Sequence, residues 1–205
     1  MDQDRVRISR NYKIDDWKRL RFESEDDWRR GVMIFQDRLE TRYLEHVRAL
    51  LKRKTSGFVV LALDSALIET LEQFRRGKPK TPSGKGKEYF RSFLTETAFS
   101  EYFDFNLADL FYVHIRCGLL HQTEAEGASR IKRGRELRLA SFTVDHKGIV
   151  INTRRFHALL EQVIKKYIDE LQRPESIGPR QAFRKKMNYI CRIEEQVAEG
   201  QSVQN

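Results

Sequence analysis

The chain has 205 residues, with 39 Lys and Arg against 30 Asp and Glu, giving a formal charge of +9 and a pI near 9.6; that balance suits a polyanionic partner. A hydrophobic share of 40% is too high for a disordered tail and enough for a single core. Two distant cysteines, Cys117 and Cys191, exclude a disulfide scaffold and a Cys-x-x-Cys metal site and predict a reducing cytoplasm, while no run approaches the roughly 18 apolar residues of a membrane span and no apolar centre follows Met1, so neither membrane insertion nor secretion is expected.

Residues 1–26 read as a polar N-terminal lead-in, anchored mainly by Trp17 and Phe22. After Ser24 the residues Trp28, Val32, Phe35, Leu39, Tyr43, His46 and Leu50 recur at spacings of three and four, one face of a long amphipathic helix. Ser56-Gly57 interrupts it. A second helix, about Phe58 to Phe74, is apolar around most of its girth and therefore central. Within it Asp64 lies between Val60 and Ile68 at i ± 4 and is predicted to face the interior, where a carboxylate requires a partner. Arg116, or a nearby hydrogen-bond donor on the adjacent helix, is the expected one. Glu69 and Glu72 are read as surface charges.

Residues 75–87 form an exposed basic loop with two prolines and three glycines. It is not a phosphate-binding P-loop, because Gly84-Lys85-Gly86-Lys87 lacks the glycine spacing and the hydroxyl residue of that motif. A short helix over Glu88 to Thr97 and another from Leu107 to about His121 follow, the latter with Leu107, Leu110, His114, Cys117 and Leu120 as its stripe. Arg130 to Arg138 is again basic. The period then changes to that of strands, and a small β-hairpin is predicted at about 136–152 around Asp145-His146-Lys147-Gly148. Thr153 reads as the N-cap of a further helix through Leu171. Pro174 and Gly178-Pro179 set apart residues 173–205, a basic helix of about Gln181 to Val197 with a tail. The expected fold class is mainly α, a helical bundle with a small hairpin insertion.

The chemistry concentrates in Arg116-Cys117-Gly118-Leu119-Leu120-His121. A permanent guanidinium neutralises charge growing on phosphoryl oxygens, and an imidazole moves protons near neutral pH. On an α-helix, however, residues five apart diverge by roughly 140° and stand about 7.5 Å apart along the axis. Convergence on one phosphate requires the helix to loosen near its end, which Gly118 favours.

This segment, late in an apolar helix of an all-helical domain, resembles the Arg-x(4 to 6)-His signature of the HEPN superfamily, and Leu63 to Phe74 looks like the helix that packs beside that motif. The resemblance spans residues 27–172 by architecture and rests specifically on these two segments. It implies an endoribonuclease that needs neither metal nor cofactor, with Arg116 stabilising the phosphate and transition state and His121 transferring a proton. The implied reaction is attack of an RNA 2′-hydroxyl on the adjacent phosphorus, leaving a 2′,3′-cyclic phosphate. It also implies a homodimer that brings two motifs to one cleft, a toxin or antiviral defence role, and an antitoxin or other defence-system protein as a partner. Cys117 departs from the pattern, since many members carry a polar residue, often Asn, directly after the arginine.

Beside this reading stand plainer ones. His114 falls on the apolar stripe and reads as a core histidine, although it could share a helix face with His121 seven residues on; His46 reads as packing. Tyr112, four residues before Arg116, is expected to pack, with base stacking as its other use. His114, Cys117 and His121 are too widely spaced to ligate one zinc ion together. Lys78, Lys80, Lys85, Lys87, Arg130, Lys132 and Arg133 are candidate RNA-backbone contacts. Two rival functions remain: a non-catalytic RNA- or nucleotide-binding module, and a helical protein-interaction adaptor.

Overall fold

The computed structural model describes residues 6–134 and 138–193. Its fold is mainly helical, with a small β insertion. Helix α1 covers Ile14–Lys18, α2 Glu25–Leu39, and α3 Glu45–Leu50, the last two joined by a π-helical turn, Glu40–Leu44. Ser24 caps α2 by accepting from the Asp27 N–H at 3.2 Å, as its residue type favours. Helix α4 is Gly57–Arg76, α5 Gly86–Glu96 and α6 Phe105–Leu110, and α6 runs directly into a π-helix, Phe111–Gln122. Strands β1 (Arg130–Lys132), β2 (Ala140–Phe142) and β3 (Ile149–Asn152) precede α7, Thr153–Leu171, and α8, Ile177–Ile190.

The π-turn at Glu40–Leu44 explains one departure from the predicted pattern. A π-turn shifts the helix register by a residue, so the buried side chains after Leu39 are Leu44 and Val47, and His46 is exposed. The expected stripe of Tyr43, His46 and Leu50 turns toward the side. Asn152, not Thr153, caps α7, accepting from the Arg155 N–H.

Helix α4 is central, in contact with α5, α7, α8 and the π-helix. Two aromatic clusters fill the space around it. Trp17, Phe35, Phe74 and Phe183 meet with centroids 4.6 to 5.9 Å apart, and Phe99, Phe103, Phe111 and Phe156 form the second. The first cluster corrects the expected division of the chain. Trp17 is 1% exposed, its indole N–H donates to Asn188 Oδ1 at 2.9 Å, and Ile8, Ile14, Phe183 and Met187 belong to the same core. The described part of the lead-in and α8 are thus built into the bundle, because their apolar faces cover α2 and α4. Residues 1–5 and 194–205, with the end of the helix expected to reach Val197, lie outside the described residues.

The β insertion is a three-stranded sheet of order β1-β3-β2, larger than the hairpin expected. β2 and β3 pair antiparallel with Phe142 opposite Ile149; residues 136 and 137 of the expected hairpin lie outside the described residues. The unforeseen strand is β1, drawn from the basic segment and parallel to β3 with Arg130 opposite Val150. Ile149 and Ile151 of β3 are fully buried. Among the described residues no helix is long and apolar enough to cross a membrane.

Candidate active site

The motif lies in the π-helix, and this changes its geometry. With i→i+5 bonding and about 4.4 residues per turn, positions five apart fall about 50° from each other around the axis, in place of 140°. Arg116 and His121 are such a pair. The same geometry separates positions seven apart by about 150°, so His114 and His121 do not share a face as α-helical periodicity suggested. Phe111, Ile115 and Leu119 point inward and Leu120 is exposed.

A folded-back loop holds this conformation. Thr123 adopts φ 57° and its N–H bonds the Gly118 carbonyl, the Glu124 N–H reaches the same carbonyl at 3.3 Å, and the Glu126 N–H donates to the His114 carbonyl at 2.9 Å. The loop passes so close that a Cβ at position 118 would stand 2.4 Å from the Glu124 carbonyl oxygen. Gly118 therefore admits the loop as well as loosening the helix.

Arg116 is partly open, its side chain 19% exposed, and its Nη2 donates to Glu69 Oε2 at 2.9 Å. Its Nε is buried without a partner among the described residues. The Tyr112 ring lies 5.5 Å from the guanidinium carbon, a cation–π distance, and 5.4 Å from the Phe90 ring. A Cβ at Gly86 would fall 2.5 Å from the Tyr112 hydroxyl oxygen, so the end of the basic loop abuts this tyrosine. Burial, followed by the neighbouring Cys117, raises the Tyr112 pKa. His121 is exposed at the end of the π-helix.

Asp64 is fully buried, as its spacing predicted, but its partner is not Arg116. Its Oδ1 accepts from His157 Nδ1 at 2.8 Å, on α7. Glu69 fills the role expected of Asp64. Glu72, also read as a surface charge, is buried, accepting from Arg75 Nη1 at 2.6 Å, Arg76 Nε at 2.7 Å and Ser92 Oγ at 2.8 Å. His157 is a partner that residue type alone does not single out, although it sits on the buried stripe of α7 between Thr153 and Leu160. His114 is half-buried, with its Nδ1 3.0 Å from Ser129 Oγ, on the β1 side of the loop.

The cationic candidates divide. Arg133 donates to the Leu51 and Arg53 carbonyls, beyond the end of α3, a structural use. Lys85 pairs with Glu88 at 3.0 Å and Lys87 with Asp109 at 2.9 Å, while Arg130 bonds the Ser129 carbonyl at 2.8 Å. Lys78, Lys80 and Lys132 are exposed. Among the described residues no cluster of three His, Cys, Asp or Glu side chains is placed to hold a metal. Comparison of the chain with protein-family models, with curated proteins and with solved structures finds no match.

Proposed function

We propose that the protein is an endoribonuclease of HEPN type that cuts RNA by 2′-hydroxyl attack, with Arg116 and His121 as its working pair, acting as a homodimer in a toxin-type or antiviral defence role. The observation that carries this reading is the π-helix: it turns a divergent Arg-x4-His spacing toward one face, next to a guanidinium already oriented by Glu69.

In the proposed reaction the imidazole of His121 accepts the 2′-hydroxyl proton as the oxygen attacks phosphorus. The P–O5′ bond breaks, giving the 2′,3′-cyclic phosphate, and a second acid protonates the departing 5′-oxygen. Arg116 neutralises the charge on the non-bridging oxygens. Glu69 holds that guanidinium by one nitrogen, which leaves other donors for phosphate. The second acid is assigned to His121 of the partner subunit, since His114 is turned away in the π register and engaged near Ser129.

The test is incubation of the purified protein with single-stranded RNA in EDTA. Cleavage giving cyclic phosphate ends and falling by about 10²- to 10⁴-fold in His121→Ala is the expected result. An equally active variant defeats the assignment; salt-sensitive binding without cleavage favours a binding module on the same fold.

A further inference from the structure

Residues 77–87 and 176–193 are two stretches without a single acid, containing four and five Lys or Arg respectively. Separated by about a hundred residues in sequence, they meet on one face. Lys186 of α8 ties them together: its Nζ donates to Gln73 Oε1 at 2.7 Å and to the Pro79 carbonyl, and Gln73 Nε2 donates in turn to Thr81 Oγ1 at 2.9 Å.

Several of these cations are already engaged. Arg180 forms a bidentate pair with Glu25 at 2.7 and 2.8 Å, Lys186 is buried, and Lys85 and Lys87 face Glu88 and Asp109. Lys78 and Lys80 are exposed, as is Arg184, whose guanidinium lies over the Phe22 ring 4.9 Å from its centroid. Near them the ring of Tyr189, 41% exposed, has Lys80 Nζ at 6.0 Å and Lys186 Nζ at 5.2 Å from its centroid. Both ammonium groups lie over this partly exposed ring, and such a surface takes a single strand when the exposed Lys80 swings from the ring to a phosphate and a base stacks in its place. Duplexes present no free base face to such a ring. Gln73 lies one turn beyond Glu69 on α4, about 6 Å along the helix, so this face starts close to Arg116.

We infer that α8 and the 77–87 loop form a docking platform for single-stranded RNA, with a base stacked on Tyr189 and the backbone passing Lys80, Lys78 and Arg184. This rests on the reading of the chain as an RNA-cutting enzyme and specifies which surface holds the strand. Affinity is set here and chemistry at Arg116.

The test titrates the full chain with a fluorescein-labelled 2′-O-methyl oligoribonucleotide, which cannot be cut, and follows anisotropy over a range of salt. Tyr189→Ala is expected to weaken binding by about 5- to 150-fold and Tyr189→Phe to retain it; Lys80→Glu should reduce the salt slope by about one or more. With cleavable RNA, Tyr189→Ala should raise KM and leave kcat unchanged. Unaltered binding in Tyr189→Ala and Lys80→Glu, with His121-dependent cleavage intact, overturns the platform and leaves the enzyme reading standing. Weakened binding in both, with no cleavage by the parent, sustains the platform and overturns the enzyme. Preference for duplex RNA or for anionic vesicles overturns the platform.

Discussion

Two of the acid–base contacts of helix α4, at Asp64 and Glu69, differ in depth. Asp64 meets His157 of α7 in full burial, 0% and 1% exposed side chains at 2.8 Å. Asp64 Oδ2, Ser65 Oγ and His157 Nε2 have no hydrogen-bond partner among the described residues; the nearest further charge is Glu161, 3.7 Å from His157 Nε2. Burial pushes the Asp64 carboxyl above its ordinary range against the opposing hydrogen bond from His157. Glu69 meets Arg116 of the π-helix at 2.9 Å with about a fifth of each side chain open to solvent. The first contact joins two helices where no substrate reaches; the second holds a cation at the surface with donors remaining. Similar pairings thus stand sealed at one depth and open to solvent at another.

The largest expected effect falls on the sealed pair. His157→Ala leaves a buried carboxylate without its donor and should lower unfolding free energy by about 3–5 kcal/mol, whereas replacing both partners by apolar residues of similar volume should recover most of the loss. Urea denaturation of the single and double variants checks this, and additive losses would mean that the contact does not couple α4 to α7. Next is Gly118→Ala, whose new Cβ must displace the Glu124 carbonyl; a loss of about 1–3 kcal/mol should accompany a larger fall in RNA cleavage than in stability, because the π register carries the motif.

Glu69→Gln should cost no more than about 1 kcal/mol in denaturation. It should reduce cleavage about tenfold or more, the worth of a charge-assisted hydrogen bond. A variant that loses stability and keeps full activity would erase the contrast between the two sites. A pH-linked effect concerns Lys186, a buried cation facing neutral acceptors. Desolvation, with Arg38 and Lys80 nearby, lowers its pKa to about 8 from the ordinary 10.5. In that interval the unfolded chain binds more protons than the folded one, so this lysine makes stability rise from about pH 8 toward 10.5. Paired urea titrations of the parent and Lys186→Met across that interval should show the rise only in the parent.

Much of the architecture was legible because it follows from period and punctuation. The apolar girth of α4, the alternation in β3 and the inward position of Asp64 are local patterns with local causes. What was not legible involves contacts between distant segments. Glu69 and Glu72 are chemically identical and three residues apart, and only the placement of Arg116, Arg75, Arg76 and Ser92 makes one a partner of the motif and the other a buried anchor. Trp17 reads only as an anchor of the lead-in, because two of its partners, Phe183 and Asn188, come from the far end of the chain.

The amino-acid sequence by itself determined a mainly helical bundle with a small β insertion, a basic surface, and an Arg-x4-His segment beside an apolar helix, since each is written in residue type and spacing. Tertiary structure decided the helical register of that segment, the acid that orients its arginine, and the meeting of two cationic stretches on one face. The physical reason is that an α- and a π-turn bury similar apolar stripes, so hydrophobic period alone does not distinguish them. The 123–127 loop closing over Gly118, and the helix carrying Glu69, supply the contacts that do.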